Sequence, residues 1–599
     1  MNGMNQEALL CRLIANSSGQ KPIQSQRQIA QSLDISLGKA NQLVNRLIEQ
    51  GYLERAHGYY VLTDTGKAYL DQFKVDNAIF LAAGFGSRFV PFSYETHKGL
   101  FKVKGVPMIE RQIEQLKTCG IDEIIIVVGY LKEAFDYLVD KYGVKLVFNP
   151  EYAVKNNFVS LYYVLDHLKN SYVLVADNWI EESIFNTWEI DSWFCCPYFE
   201  GETAEWAATT DSQGRIIKIQ IGGENTLAVV GPAFFTKEFS KVFSELTIKH
   251  YQTLGTDDDY WEQIIKDNLS VLPPMYANEQ SLSNFHEFET FEELREYDDS
   301  YQQDTNNATM HEIALAFDIP ENAICGIAPL KAGITNYSFV FYVNGYGYVF
   351  RTPGEGTERL INRRQEKAAY DAVTSLNITD EIITFDPERG TKISKYYAGV
   401  HVVDVDNADE LAEAARLIKV LHTSGAFTDY PFDIEGKISF YRFLADEKNA
   451  ILFSDFEEIA AKMQVLLDLK NRLNILPVLC HGEFVNTNVL IFPDGSGKII
   501  DWEYSGMGDP IMDISMFAIS SAMERDKIER LLRLYVGGDP SFDELRRLYL
   551  YVALGGFLWS IWAEYKQACG QEFGEYPLRM YRYAKDYYNI LKEEGYLDY

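Results

Sequence analysis

The sequence predicts a protein of several domains: a mostly α-helical N-terminal domain, a central α/β domain with a mixed, mostly parallel sheet, and a C-terminal α+β domain. The chain of 599 residues is too long for one hydrophobic core. Short amphipathic helix patterns fill residues 1–75, and apolar strands alternate with helices after them. The polar stretch DDSYQQDTNNA then precedes a third set of strands and helices. We therefore predict domains over residues 1–75, 76–300 and 301–599.

Composition limits the classes of function. A hydrophobic fraction of 47% excludes general disorder, and the net charge of −32 disfavours broad binding of nucleic acid or acidic membranes by the chain as a whole. The seven cysteines are scattered without a CxxC pair, which indicates a reducing compartment. No stretch has the pattern of a signal peptide or the length of a membrane span. We expect a cytoplasmic protein that does not enter the membrane.

The N-terminal domain has the element order helix, helix, helix, β-hairpin, which is typical of a winged helix-turn-helix. Apolar residues of SLGKANQLVNRLIEQGYL fall on one helix face, and His57-Gly58 separates two short strands. The segment resembles bacterial winged-helix modules. That resemblance implies that one surface would meet DNA, through Ser36, Lys39, Asn41, Gln42, Asn45 and Arg46 on the helix and Arg55 and His57 on the wing. Basic residues barely outnumber acidic ones here, so an interaction or dimerisation module is the alternative.

A glycine-bearing loop follows the first apolar strand of the central domain. The strand Ala78 to Leu81 breaks into the loop Ala82 to Arg88. Gly84 and Gly86 allow backbone N–H groups to approach an anion closely. Arg88 and Lys98 add positive charge. The pattern suits a phosphate, although a tight turn in any α/β domain would look similar.

The order of elements brings three strand ends together. The pattern βαβαβ predicts a mostly parallel sheet covered by helices, and ligands of such sheets lie at the carboxyl ends of the strands. The glycine loop, Gly129-Tyr130 and Asn156-Asn157 all follow strands. They should therefore line one crevice.

The motifs LAAGFGSR, THK and VVGYL make the central domain more specific. They resemble the sugar-phosphate nucleotidyltransferases and, more closely, the bacterial CTP:phosphocholine cytidylyltransferases, over about residues 76 to 300. The resemblance implies that CTP and phosphocholine are substrates and that Lys98 and Arg88 are catalytic. It also implies nucleotide contacts from Leu81, Ala82, Ala83, Gly84, Gly86, Ser87, Gly129, Tyr130 and Asn157.

The same resemblance implies a magnesium site and a choline site. Asp177 ends a strand where the family holds a metal-binding Asp, and Glu262 stands where a second Asp is usual, with Asp258 and Asp259 as substitutes. A quaternary ammonium donates no hydrogen bonds and is bound by aromatic faces. Trp206, Tyr260 and Trp261 are the candidates for this contact.

The C-terminal region carries the most specific string, LCHGEFVNTNVLIFPDGSGKIIDWEYSGMGDP. In order and spacing, His481, Glu483, Asn488 and Asp501 repeat the catalytic and metal loops of kinase-like phosphotransferases. The domain resembles bacterial choline kinases, which have an aminoglycoside-kinase-like α+β fold, over nearly all of residues 310 to 599. The resemblance implies Mg²⁺ on Asn488 and Asp501 and contacts to ATP from Thr335, Asn336, Arg351 and its partner Glu366. It further implies a choline-facing wall of Trp559 and Trp562 with Tyr504 or Tyr565.

One position departs from the kinase pattern. The family has His-x-Asp in the catalytic loop, whereas this chain has Glu483. The extra methylene moves a carboxylate by about 1 Å, and such a displacement can reduce a rate on the order of 100-fold. An active kinase that tolerates Glu, a slow kinase and a domain retained for binding are the three alternatives.

The two phosphate-handling domains suggest a bifunctional enzyme. The kinase domain would convert choline and ATP to phosphocholine, and the central domain would react it with CTP to give CDP-choline for decoration of the cell surface. Ethanolamine or another amino alcohol could replace choline. A transcription regulator that senses these metabolites is the alternative of another class. The sequence predicts no oligomeric state.

Overall fold

The computed structural model describes residues 5–17, 22–302, 304–330, 336–354, 360–571 and 573–597. The chain forms two compact units, Met1–Thr309 and Met310–Tyr599. Thr335, predicted to contact nucleotide, lies outside the described residues. Within the described ranges, we find no helix that combines the length and the apolar character needed to cross a bilayer.

Eleven of the helices listed next lie in the first unit, and a twelfth, α12, begins at its last two residues and continues into the second unit. They are α1 (Gln6–Ser17), α2 (Gln26–Ser32), α3 (Leu37–Glu49), α4 (Asp64–Asp71), α5 (Phe92–Glu95), α6 (Met108–Thr118), α7 (Tyr137–Tyr142), α8 (Phe158–Tyr162), α9 (Lys237–Tyr251), α10 (Trp261–Asn268), α11 (Phe291–Tyr297) and α12 (Ala308–Phe317).

The strands of the first unit are mostly short. They are β1 (Leu53–Ala56), β2 (Tyr59–Leu62), β3 (Asn77–Ala82), β4 (Lys102–Val103), β5 (Val106–Pro107), β6 (Ile124–Val128), β7 (Lys145–Phe148), β8 (Ser171–Val175), β9 (Asn178–Ile180), β10 (Ser192–Cys195), β11 (Tyr198–Thr210), β12 (Ile216–Ala228), β13 (Ala233–Phe235), β14 (Met275–Asn278) and β15 (Phe285–Glu287).

The second unit combines eight helices, listed next, with strands that form sheets of five, three and two strands among the described residues. Its helices are α13 (Arg363–Val373), α14 (Ala408–Thr423), α15 (Ile434–Glu447), α16 (Phe456–Arg472), α17 (Pro510–Ser520), α18 (Arg525–Val536), α19 (Phe542–Ala568) and α20 (Tyr576–Glu593). Its strands are β16 (Cys325–Pro329), β17 (Asn336–Val343), β18 (Tyr346–Pro353), β19 (Ile382–Asp386), β20 (Thr391–Lys395), β21 (His401–Val402), β22 (Val478–Cys480), β23 (Val489–Ile491), β24 (Gly497–Ile499) and β25 (Gly506–Gly508).

The N-terminal domain is a winged helix, as the element order predicts. Ser25 and Ser36 cap α2 and α3 by accepting hydrogen bonds from backbone N–H groups, which is why these helices begin where they do. The β1–β2 hairpin forms the wing. The domain is fixed to the sheet domain of the same unit, because the Arg12 guanidinium on α1 lies 2.6 Å from the buried carboxylate of Glu189. We infer that it does not move as a tethered module.

The central domain is built on a seven-stranded mixed sheet with the order β14-β10-β13-β8-β3-β6-β7. Strands β8, β3, β6 and β7 pair in parallel, whereas β13 is antiparallel to its neighbours. Every residue of β3 and β6 is buried, as expected for strands covered on both faces. The parallel register places the ends of β3, β6 and β8 at one edge. This confirms the predicted α/β fold.

The polar stretch at residues 298–308 is packed against the central domain. Asp298 accepts a hydrogen bond from the Lys104 N–H at 2.5 Å, and the Tyr301 hydroxyl donates to the Lys102 carbonyl at 2.7 Å. At Asp298 and Tyr301, the stretch is therefore paired with the protein instead of with water.

The second unit has the α+β architecture predicted from its sequence. A five-stranded antiparallel sheet with the order β16-β17-β18-β20-β19 precedes a helical region whose core includes α14, α17 and α19. Strand β22 leads into the HGEFVNTN loop and pairs with β25, which follows the DWEYS segment. The helix α19 is 27 residues long and almost wholly buried over its middle, which explains its weak amphipathic pattern.

Candidate active sites

The first candidate site is a crevice of about 500 Å³ at the carboxyl edge of the seven-stranded sheet. The residues that line it follow different strands, because the carboxyl ends of parallel strands meet at one edge of the sheet. Of the predicted contacts, it is lined by Leu81, Ala82, Ala83, Gly84, Gly86, Lys98, Asn157 and Asp177. The convergence of strand ends predicted from the element order is present.

Gly129 supports this crevice from behind the glycine loop. A Cβ atom at Gly129 would lie 2.7 Å from the Ala83 carbonyl oxygen and 2.6 Å from the Cβ of Tyr152, so only glycine fits without displacing the backbone. The Tyr130 N–H donates to the same Ala83 carbonyl at 3.1 Å, and the Tyr130 ring packs on Phe85. The structure thus places Gly129 and Tyr130 as supports of the loop.

Lys98 and Asp177 form an ion pair inside the crevice. Their Nζ and Oδ2 atoms are 2.7 Å apart, and the Lys98 side chain is only 12% exposed. Burial opposes ionisation of Asp177, but the Lys98 ammonium outweighs it and holds the pKa of this carboxyl below its ordinary value. Asp177 is therefore an anion and can bind a divalent cation at neutral pH.

Glu287 lies near Asp177, and Glu262 lies near Glu287. Strand β15 pairs with β9 so that Glu287 lies opposite Asn178, and Glu287 lines the crevice. Burial and then the charge of Asp177 raise the pKa of Glu287 to about 7, and burial and then Glu287 raise that of Glu262 to about 8. The Oε2 atom of Glu262 is buried without a hydrogen-bond partner among the described residues. Oxygen donors that repel one another in this way fit a divalent cation.

The other predicted catalytic group points elsewhere in this structure. Ser87 and Arg88 lie on the 3₁₀ turn Ser87–Phe89 that follows Gly86. The Arg88 guanidinium is 67% exposed and forms an ion pair with Glu289. Contact between Arg88 and a nucleotide would therefore require this ion pair to open.

The aromatic residues predicted to bind choline here do not form a cage. Trp261 is wholly buried between Phe194 and Phe235, and its ring is part of the core. Trp206 is half-buried and packs against the same core, whereas Tyr260 is exposed. Trp261 is buried because it is the first residue of α10 and lies on the apolar face of that helix. Trp261 is therefore not among the proposed choline contacts.

The second candidate site surrounds the HGEFVNTN loop. Asp513 on α17 accepts hydrogen bonds from the N–H groups of His481 at 2.7 Å and Gly482 at 2.9 Å, and it contacts His422 at 3.0 Å. Gly482 has a φ of +80°, and a Cβ there would lie 2.2 Å from the Tyr504 carbonyl oxygen. The loop is therefore held rigidly against α17 and the segment that carries Tyr504.

Three carboxylates converge beside this loop. Glu483, Asp501 and Glu503 each place one oxygen within 4.8 Å of the others. Burial and then Glu503 raise the pKa of Asp501 to about 7, and burial with the two neighbouring carboxylates raises that of Glu483 well above its ordinary range. The buried Oδ1 atom of Asp501 has no hydrogen-bond partner among the described residues. The group fits a divalent cation, with Asn488 beside it through its hydrogen bond to the Glu483 carbonyl.

A network of basic side chains lies against these carboxylates. Arg351 on β18 is bound by Glu366 on α13 through two hydrogen bonds, the predicted pair, and its Nη1 atom lies 3.9 Å from Asp501. Arg363 bridges Glu366 at 2.8 Å and Glu503 at 3.0 Å. Asn336 joins the network by donating to Glu503 at 3.1 Å. Positive charge thus surrounds the place where ATP phosphates are predicted.

An aromatic wall borders the same site. The Tyr504 and Trp559 ring centroids are 6.4 Å apart and nearly perpendicular, and those of Trp559 and Trp562 are 5.5 Å apart. The helical spacing of the two tryptophans produces this contact, as predicted. We call Tyr504, Trp559 and Trp562 the aromatic wall.

Sequence reasoning missed several residues of these sites. The pairing of β9 with β15 places Glu287 in the first site. The DWE turn places Glu503 in the second site, and the packing of α17 places Asp513 there. Glu503 stands inside the quoted kinase string and Asp513 lies three residues after its end, so position relative to Asp501 could have indicated them. Glu287 has no local signal, because only the β9–β15 pairing places it near Asp177.

Comparisons with known proteins agree with this geometry. Residues 78–177 match the MobA-like NTP transferase domain family, residues 326–550 match the Phosphotransferase enzyme family, and residues 19–54 match the Winged helix-turn-helix DNA-binding family. The choline-phosphate cytidylyltransferase of Streptococcus pneumoniae is 38% identical over 222 residues, which is 37% of this chain and 96% of that protein.

Two further comparisons concern substrates and the second unit. The 2-aminoethylphosphonate cytidylyltransferase of Lancefieldella rimae is 34% identical over 229 residues, 38% of this chain and 93% of that protein. The crystal structure of choline kinase LicA from Streptococcus pneumoniae covers 48% of this chain and 99% of its own, with 24% identity and a TM-score of 0.42.

The fold and the two sites define a protein that combines a nucleotidyltransferase domain with a kinase-like phosphotransferase domain behind a winged helix. Through its middle domain, the chain belongs to the cytidylyltransferase family of the two relatives. The classes of enzyme predicted from the motifs are confirmed.

Proposed function

We propose that the chain catalyses two consecutive reactions: transfer of phosphate from ATP to choline, and transfer of CMP from CTP to phosphocholine with release of pyrophosphate. The product would be CDP-choline. One observation carries the proposal: a single chain builds two phosphate-transfer sites, and the product expected of one is the substrate expected of the other.

In the cytidylyltransferase site, the glycine loop presents backbone N–H groups to the triphosphate and Lys98 stabilises negative charge on the reacting phosphates. Asp177, with Glu287 and Glu262 close by, would hold Mg²⁺. When bound, the cation neutralises charge that develops as pyrophosphate leaves. Lys98 would then exchange its ion pair with Asp177 for contact with phosphate.

In the kinase site, Glu483 would orient the hydroxyl of the acceptor alcohol and accept its proton. As a carboxylate, Glu483 would accept the proton when the alcohol attacks. Asp501 and Asn488 would hold Mg²⁺, which supplies charge neutralisation to the ATP phosphates. Arg351 and Arg363, fixed by Glu366, would lie along those phosphates.

The proposal is tested by product analysis of the full chain. Choline, ATP, CTP and Mg²⁺ together should give ADP, pyrophosphate and CDP-choline, and omission of ATP should stop CDP-choline formation unless phosphocholine is supplied. Absence of CDP-choline from both the complete mixture and the phosphocholine mixture would contradict the cytidylyltransferase half.

The Glu483 position tests the kinase half. We expect measurable ADP release with choline from the wild type, and a higher rate from Glu483→Asp, because the shorter side chain restores the usual reach of the carboxylate. Glu483→Gln should reduce the rate at least about 100-fold. If wild type releases no choline-dependent ADP while Glu483→Asp does, the native domain binds without catalysing transfer.

The acceptor requires its own comparison because the two cytidylyltransferase relatives act on different compounds. Initial rates with phosphocholine, phosphoethanolamine and 2-aminoethylphosphonate, each at several concentrations, rank the candidates. The proposal expects the highest kcat/KM with phosphocholine. A preference for 2-aminoethylphosphonate would make the kinase product a poor substrate for the same chain.

We also propose that the winged helix contacts DNA, a role favoured by the family match over residues 19–54. Asn41, Gln42 and Asn45 lie on the exposed side of α3, where a recognition helix meets the major groove. Fluorescence anisotropy of labelled duplex DNA at several salt concentrations measures this contact. A protein-interaction role predicts no salt-dependent binding.

A further inference from the structure

Lys437 is a charged residue of the second unit that neither the motifs nor the proposed reaction uses. It lies near the start of α15, four residues after Asp433, the residue that caps the helix. Positive charge at a helix N-terminus is unfavourable because the backbone N–H dipoles point there. The position of Lys437 therefore does not stabilise its own helix.

The ammonium group of Lys437 lies on the aromatic wall. Its Nζ atom is 4.2 Å from the centroid of the Tyr504 ring and 5.5 Å from that of Phe432. Both distances are within the range of a cation–π contact. Tyr504 is buried and also contacts Trp559 edge to face, so the lysine and the tryptophan both pack on this ring.

The surroundings of Lys437 are those of a site for a cation. Asp433 faces it from its own helix, Glu483 from the catalytic loop and Glu503 from the segment before Tyr504. Three tyrosines, Tyr441, Tyr504 and Tyr576, also lie close to Glu483. Burial outweighs the carboxylates and lowers the pKa of Lys437 to about 8. A partly neutral lysine near physiological pH follows.

We propose that Lys437 is a specificity-determining residue of the kinase site, in which its ammonium occupies the Tyr504 face that receives the cationic head group of the acceptor alcohol. This inference rests on the kinase half of the proposed function. The acceptor must displace the lysine or find it neutral, because two positive charges on one ring face repel each other strongly at low dielectric. Lys437 thus weakens binding of permanently cationic alcohols more than binding of uncharged ones, which must displace the lysine but are not repelled by its charge.

The test uses a head-group probe that needs no turnover. Tetramethylammonium binding to the full chain is measured by the fluorescence of tryptophan, since Trp559 and Trp562 border the site. Lys437→Met should bind the probe at least about tenfold more tightly than wild type. Lys437→Arg keeps a positive charge and should bind it no more tightly than wild type. Lys448→Met removes an exposed lysine at the other end of α15 and should change nothing.

Kinetics add a second readout. For Lys437→Met, the KM for choline should fall at least about tenfold, and that for its uncharged isostere 3,3-dimethylbutan-1-ol should fall by a smaller factor.

Unchanged or weaker probe binding by Lys437→Met would overturn the inference, as would a large fall in kcat at constant KM, which would assign Lys437 to the transferred phosphate. Failure of the wild type to phosphorylate any amino alcohol would count against the proposed function alone. The probe measurement would still decide the role of Lys437, because it reports binding without transfer.

Discussion

At the scale of single residues, burial sets the chemistry of both sites. His97, in the THK turn, is fully enclosed beside Phe135, and its Nδ1 atom accepts a hydrogen bond from the Gly99 N–H at 3.1 Å. Burial lowers the pKa of His97 to about 4. The neutral imidazole thereby fixes the turn that carries Lys98.

This predicts an acid sensitivity of the first unit. The unfolded state takes up a proton near pH 6.5, whereas the folded state does so only near pH 4, so stability falls as pH decreases between these values. The loss from His97 should approach about 3 kcal/mol. Urea unfolding of wild type and His97→Gln at pH 7.5 and 5.0 measures it.

The variant should lose less stability than wild type over this pH interval. His57→Asn is the control, because His57 is exposed on the wing with a φ of +52° that Asn tolerates. An equal pH dependence in His97→Gln and wild type would show that His97 is not the group responsible.

At the scale of elements, one helix positions the kinase loop. Asp513 on α17 is fully buried and accepts two backbone hydrogen bonds from the loop that carries Glu483. The second unit therefore places its catalytic carboxylate through a helix–loop contact, and the HGE sequence does not fix that placement by itself.

Asp513→Asn should destabilise the second unit and reduce transfer. An amide oxygen accepts less strongly than a carboxylate and leaves one buried N–H poorly paired, so we expect a loss of about 3 kcal/mol in unfolding free energy. Thermal unfolding and ADP release measure the two effects. Asp526→Asn, on the exposed first turn of α18, should change stability by less than about 0.5 kcal/mol. Equal stability of the two variants would contradict the anchoring role of Asp513.

At the scale of the whole molecule, two chemically related sites serve different steps. Asp177 belongs to the crevice of the parallel sheet, and Asp501 to the carboxylate cluster of the second unit. In our proposal, each of these two aspartates binds the metal ion of one reaction. Their variants should therefore separate the reactions.

Asp177→Asn should accumulate phosphocholine from choline and ATP and form CDP-choline at least about 100-fold more slowly. Asp501→Asn should form CDP-choline at the wild-type rate only when phosphocholine is supplied. Chromatography of the products over time distinguishes these patterns. The exposed Asp122→Asn and Asp539→Asn serve as controls, one in each unit. Loss of both reactions in either Asp177→Asn or Asp501→Asn would argue against separate sites.

Most of the fold could be predicted because its signals are local. Helix caps such as Ser25, the buried runs of β3 and β6 and the spacing from His481 to Asp501 each lie within a short stretch. The candidate sites were predictable where a motif carries the residue, as with Lys98 and Asp177. Trp261 shows the limit, since an aromatic residue beside a motif can equally well be core.

The sequence by itself determined the three domains, the glycine loop, the kinase string and the departure at Glu483. Only the tertiary structure decided which charges meet: Lys98 with Asp177, Glu287 with both, Asp513 with the kinase loop and Lys437 with the Tyr504 ring. The reason is physical. Periodicity and turn chemistry act between neighbours in sequence, whereas electrostatic contacts depend on distances set by strand pairing and helix packing.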